Sequence, residues 1–272
     1  MWVTNLSGSK ASAMQFYISA GGSLLLGLYS FTLPSCTPEK LLSEKSNLVD
    51  ALGLRAFQLF RQSKFAIFFV FSMFLGAALQ LTNMYGDTFL SDFSKVPEYA
   101  HSVVVKYSTI IMSISQMSET LFILTIPFFL RRYGIKMVML MSMFAWVLRF
   151  GLFSYGNPSD GLWMIVLSGI VYGMAFDFFN ISGSLFIETT TSSKIRASAQ
   201  GMFMMMTNGF GAFFGAKISG SIIDLFFTEN NQRDWHSIWL SFAVYAFIVA
   251  IAFAILFKHK HVEGEVFEVS PS

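Results

Sequence analysis

Long apolar runs separated by short polar connections recur along the chain, and about 20 such residues suffice for a helix to cross a hydrocarbon core. Seven runs, at about residues 12–33, 65–89, 103–130, 137–154, 162–187, 197–227 and 237–257, predict seven membrane-spanning helices. None alternates in polarity over segments of about 10 residues, as the strands of a transmembrane barrel would. The expected class is therefore an all-α membrane protein. Its expected divisions are residues 1–33, holding the end of one span and one complete span; 34–64, a cytoplasmic linker; 65–257, a six-span bundle; and 258–272, a cytoplasmic tail. The opening "MWVTNLSGSK" lacks the basic start and apolar stretch of a signal peptide.

Composition agrees with this pattern. The chain of 272 residues is 54% hydrophobic and only 12% charged, against about 25% charged residues in an average soluble domain. Where the charges fall matters more than their net value of +2. Lys40, Lys45, Arg55, Arg61, Lys64, Arg131, Arg132, Lys136, Lys194, Arg196, Lys258 and Lys260 collect on one side of the predicted spans, whereas Lys10, Lys95 and Arg233 fall on the other. The positive-inside rule then places the C-terminus in the cytoplasm. The linker's second half, "NLVDALGLRAFQLFRQSKF", sets Leu48, Leu52, Ala56 and Leu59 near one helical face, a pattern that suits a helical lead-in along the membrane interface. One cysteine, Cys36, forms no intrachain disulfide framework or thiolate cluster. Nothing in the charge pattern supports nucleic-acid binding.

Polar residues interrupt three of the apolar runs in the same way. Gln80 and Asn83 lie three apart in "GAALQLTNMYG", Gln116 and Glu119 in "STIIMSISQMSETLFILTIPFFL", and Asp177 and Asn180 in "YGMAFDFFNISG". Residues at i and i+3 share a helix face, so each pair forms one polar patch. Counting from the span ends puts Gln116, Glu119 and Asp177 near mid-membrane, where a carboxylate costs about 3 kcal/mol on insertion scales. Such groups are expected to face a shared cavity, although amides also bond helices together for roughly 1 kcal/mol. Tyr85 and Phe176, Phe178 and Phe179 flank these pairs; a ring beside amides and acids suits a flat ligand rich in hydrogen-bonding groups, and the latter two phenylalanines suit packing equally well. Arg149, five residues before Ser154, is expected to snorkel to the outer surface. Gly211, Gly215 and Ser219 form a small-residue stripe expected to serve helix packing, and Asn208 and Lys217 in the same span could reach either the cavity or the interface. Asn5 and Asn180 begin N-x-S sequons but are not expected to carry glycans.

The stretches "LQLTNMYGDTFL", "IIMSISQMSETLFILTIPFFLRRYGIK", "YGMAFDFFNISGSLFIE" and "IRASAQGMFMMMTNGFG" resemble the nucleoside:proton symporters, bacterial nucleoside permeases of the major facilitator superfamily. The resemblance runs from Met1 to about His261. "PFFLRRYGIK" also resembles a degraded copy of the superfamily's G-x-x-x-D-R-x-G-R-R loop, with Arg132, Gly134 and Lys136 fitting and Pro127 and Arg131 departing. The resemblance implies a twelve-span fold in two halves, of which this chain holds one span and the C-terminal six-helix bundle, the first five spans and most of the N-terminal half being missing from it. It further implies proton-coupled nucleoside uptake across the inner (plasma) membrane by alternating access, with nucleosides, protons and the lipid bilayer as partners, no cofactor or metal, and a need for the missing half. Gln80, Asn83, Gln116, Glu119, Phe176 and Asp177 match the family's substrate contacts, and Glu119 and Asp177 are candidates for proton coupling. A symporter for another polar solute such as a sugar, a non-transporting relative or scaffold, and a membrane enzyme are the alternatives. The enzyme reading lacks H-E-x-x-H and G-x-S-x-G motifs, and His101, His236, His259 and His261 lie near or beyond span ends.

Overall fold

A computed structural model describes residues 13–34, 54–230 and 232–259, without the side chains of Gln15 and Thr109. Two compact units divide at residue 46. In the first, helix α1 (Met14–Ser30) covers most of the first apolar run. Leu48, Leu52, Cys36, Asn5, Lys10 and His261 lie outside the described residues.

The second unit begins with a 3₁₀ helix, Leu54–Arg61, that buries Ala56 and Leu59 and exposes Phe57. There follow α2 (Ser63–Asp92), the short α3 (Val103–Lys106), α4 (Ser108–Tyr155), α5 (Leu162–Thr190), α6 (Ser193–Met204), a π-helical turn over Met205–Gly211, α7 (Ala212–Phe226) and α8 (Trp235–Leu256). A two-stranded hairpin, β1 (Thr228–Glu229) with β2 (Gln232–Arg233), precedes α8. Among the described residues, four helical stretches are long and apolar enough to cross a membrane: Ser63–Lys95, Ile110–Tyr155, Leu162–Thr190 and Trp235–Leu256. The run predicted at 197–227 is also helical, but is shared among α6, the π turn and α7.

Helix α4 is two spans joined at one residue. Gly134 has φ 74° and ψ 170°, a conformation open to glycine because a Cβ would collide there. The expected connection of several polar residues between runs 103–130 and 137–154 is thereby reduced to a break at Gly134, with helix up to Tyr133 and again from Ile135. Ser118 before the break bonds the Ile170 carbonyl, and Ser142 after it bonds the Ala175 carbonyl. Both halves thus lie along the same stretch of α5, and α4 folds back on itself.

Side-chain contacts align the helix ends. Lys136 donates to the Ala254 carbonyl at 2.9 Å, and Lys64 lies 4.9 Å from the Phe186 ring centre. Phe65, Phe68, Phe186, Phe203 and Phe257 pack together at that end. At the opposite end the Trp235 indole donates to Asp92 at 3.0 Å, Ser154 bonds His236, and Phe89, Phe153, Trp235 and Trp239 form a second aromatic cluster. The polar residues of the middle thus lie between two aromatic layers. Close packing of α2 against the π turn and α7 depends on glycine. A Cβ on Gly76 would overlap the Thr207 carbonyl, and one on Gly215 would stand 2.8 Å from the Ala77 Cα. Ser219 of the same stripe bonds the Tyr85 hydroxyl at 3.1 Å, which turns Tyr85 toward α7.

Candidate functional site

Three helices carry the polar pairs. On α2, Gln80 is half-buried and Asn83 exposed; on the first half of α4, Gln116 is exposed and Glu119 half-buried; on α5, Asp177 is buried while Asn180 is half-buried. The two carboxylates are near enough for their charges to repel. One Asp177 oxygen, Oδ2, is buried and has no hydrogen-bond partner. An unsatisfied carboxylate oxygen in so apolar a setting calls for a proton or a donor from a ligand. None of Gln80, Asn83 and Gln116 is sealed in the core.

The aromatic neighbours of Asp177 separate clearly. Phe178 packs on Phe122 and Phe129, and Phe179 on Phe68 and Phe203; both are buried. Phe176 remains half-buried and stacks parallel to Tyr172, with ring centres 6.0 Å apart and planes 2° apart. It also lines a small recess with Asn180 and Asn208, Trp146 and Gly76. Asn180 donates to the Phe176 carbonyl at 3.1 Å and so steadies that turn of α5. The sequence left Asn208 undecided; the π-helical turn sets it into this recess, whereas Lys217 is exposed on α7.

Arg149 corrects an expectation. It does not snorkel to the surface: it is 0% exposed. Its Nη1 donates to the Ser168 carbonyl at 2.6 Å, Nε reaches Thr82 Oγ1 at 3.4 Å, and its guanidinium lies 4.4 Å from the Tyr172 ring centre and 5.0 Å from that of Phe153. Five residues from a span end would allow an exit, but the inward face of the helix and the stacked rings hold the charge inside. Tyr172, which sequence reasoning passed over, is the link: its hydroxyl is turned toward Glu119, to which it can donate, and its ring stacks with both the Arg149 guanidinium and Phe176. The one available signal was its position four residues before Phe176, one helical turn away.

The model of the nucleoside H+ symporter family matches residues 1–262. The chain belongs to this family. Proteins similar to it include the nucleoside permease NupG of Escherichia coli K12, 56% identical over 263 residues, which covers 96% of this chain and 62% of that protein. The xanthosine permease of the same organism is 53% identical over 262 residues, again 96% of this chain and 62% of the relative. A crystal structure of a NupG point mutant superposes with a TM-score of 0.84 at 55% identity, covering 94% of this chain and 64% of that one. A second crystal structure of NupG gives 0.79 with coverage of 95% and 64%. The chain thus spans less than two thirds of the length of these relatives, all of them transporters, and its six-helix unit has the fold of their C-terminal bundle.

Proposed function

We propose that the whole protein takes up nucleosides with protons across the inner membrane, by rocking two helical bundles around a midplane site. The observation that carries this reading is the buried, unsatisfied Asp177 carboxylate on α5, the helix to which Ser118, the neighbour of Glu119, is bonded, inside an apolar bundle of this family. Gln80, Asn83, Gln116, Glu119 and Asp177 replace the water bound to ribose hydroxyls and base heteroatoms, while Phe176 packs against the base. Stripped polar groups left unpaired lose about 1–3 kcal/mol each, so this replacement gives selectivity. Coupling follows if a carboxyl takes a proton while the site faces outward and releases it when the site faces inward, since burial in a closing cavity penalises the charged form. The basic helix ends face the cytoplasm in this reading, and the C-terminus with them.

Uptake of labelled uridine into cells or proteoliposomes carrying the whole protein tests the proposal. An uncoupler is expected to abolish accumulation by the wild type, and Glu119→Gln or Asp177→Asn to abolish uncoupler-sensitive accumulation. Uncoupler-sensitive uptake retained by both variants would overturn the coupling assignment. Competition by excess sugar, with none by unlabelled nucleosides, would instead reveal a symporter of another solute.

A further inference from the structure

A fully buried arginine in a membrane bundle demands an explanation. Its insertion costs about 3 kcal/mol even on the gentlest scale, and removing its solvation is repaid only by attraction and hydrogen bonds of good geometry. Arg149 is only partly satisfied: Nη2 is buried without a partner. The charged and titratable groups facing it can be followed helix by helix. Among the described residues, α2 contributes the Thr82 hydroxyl, α5 the Ser168 carbonyl and Tyr172, and the first half of α4 the attracting charge of Glu119. On α8, Tyr245 is bonded to the Phe74 carbonyl and His236 to Ser154, so neither serves as a counterion. Glu119 in turn is faced by Tyr172, Arg149 and Asp177.

The arrangement is a ladder. Arg149 stacks on Tyr172, Tyr172 stacks on Phe176, and the Tyr172 hydroxyl is directed at Glu119. We propose that Arg149 is a positioning residue of the transport site: its buried guanidinium, stacked on Tyr172, fixes the plane of Phe176 and keeps the Tyr172 hydroxyl directed at Glu119. The inference rests on the transport reading above and adds a component behind the residues that touch the substrate. Glu119 and Asp177 then differ in kind, the first being faced by the Tyr172 hydroxyl and the second lacking a partner on Oδ2. The guanidinium is suited to this because it keeps its charge when buried and offers a flat face to a ring.

The test is uptake of labelled uridine by proteoliposomes carrying the whole protein, measured against pH under a constant imposed gradient. Loss of a positive charge beside a carboxylate favours the protonated form, so Arg149→Met is expected to move the midpoint of the pH profile upward by about one unit. Arg149→Lys, which keeps the charge but not the planar stack, is expected to recover most of that displacement while raising the uridine KM. Tyr172→Phe is expected to move the midpoint in the same direction, and the double variant by less than the sum, because the two act along one route. A purely structural arginine lowers the yield of inserted protein or the maximal rate and leaves the midpoint in place. Unchanged midpoints in Arg149→Met and Tyr172→Phe, or equal displacement by Met and Lys, would overturn the proposal. Should Arg149→Met fail to insert, an unchanged midpoint in Tyr172→Phe overturns it alone. Wild-type protein that accumulates no uridine overturns the transport reading instead, and this inference with it.

Discussion

Asp234 shows how single side chains set the outer ends of the helices. It stands at the N-cap of α8 and accepts from the Ser237 amide at 3.2 Å. Bonding to Ser237 holds its carboxyl below the ordinary carboxylate range, which means that the folded protein favours the ionised form. The stabilisation is present above the unfolded pKa of about 3.9 and is lost as pH falls through the lower folded value. Replacing Asp234 by Ala is expected to cost about 1 kcal/mol, read as a lower melting temperature in detergent, and the gap between variant and wild type should close on acidification. At this scale the sequence was a good guide to which residues are polar and in the membrane, and a poor one to where they point. Gln116, Glu119 and Asp177 were legible because acids and amides in apolar runs are rare. The burial of Arg149 was not, because depth along a helix says nothing of which neighbour its face meets.

Helix packing in this bundle turns on positions without side chains. The stripe of Gly211, Gly215 and Ser219 announced a close approach, and α2 is the helix that takes it. Gly76, the other half of that contact, bore no periodic signal, since its partner is the backbone of a π-helical turn that no local pattern foretold. Gly76→Ala drives a methyl group into the Thr207 carbonyl; the expected cost is about 3 kcal/mol or more, the upper range for overpacking, visible as a fall in detergent melting temperature or in membrane yield. Gly134→Ala is expected to be harmful for a different reason: the backbone there stands at φ 74°, ψ 170°, which costs about 1–3 kcal/mol for a residue with a Cβ. Both losses should appear without the ligand, which separates them from changes at the site. π-helical turns are rare and often mark functional positions, and this one carries Asn208 to the recess beside Phe176.

For the whole molecule, the contacts of Lys136 with Ala254 and of Trp235 with Asp92 place alternate helix ends at opposite faces of the six-helix unit. Which face meets the cytoplasm is inferred from charge alone. In a Cys36→Ser background, Ser94→Cys is expected to react with an impermeant maleimide from outside intact cells, and Lys258→Cys only after permeabilisation; the reverse pattern would overturn the orientation. Both positions are exposed. The succession of long apolar helices was determined by the sequence itself, because crossing hydrocarbon requires about 20 apolar residues whatever the neighbours are, and so was the presence of acids and amides within them. The tertiary structure alone decided which of those groups meet: Arg149 with the Ser168 carbonyl, Tyr172 with both Arg149 and Phe176, Tyr85 with Ser219. Such choices depend on how helices distant in the chain rotate and cross, and that is settled by packing and by pairing each buried polar group, neither of which leaves a periodic trace along one helix.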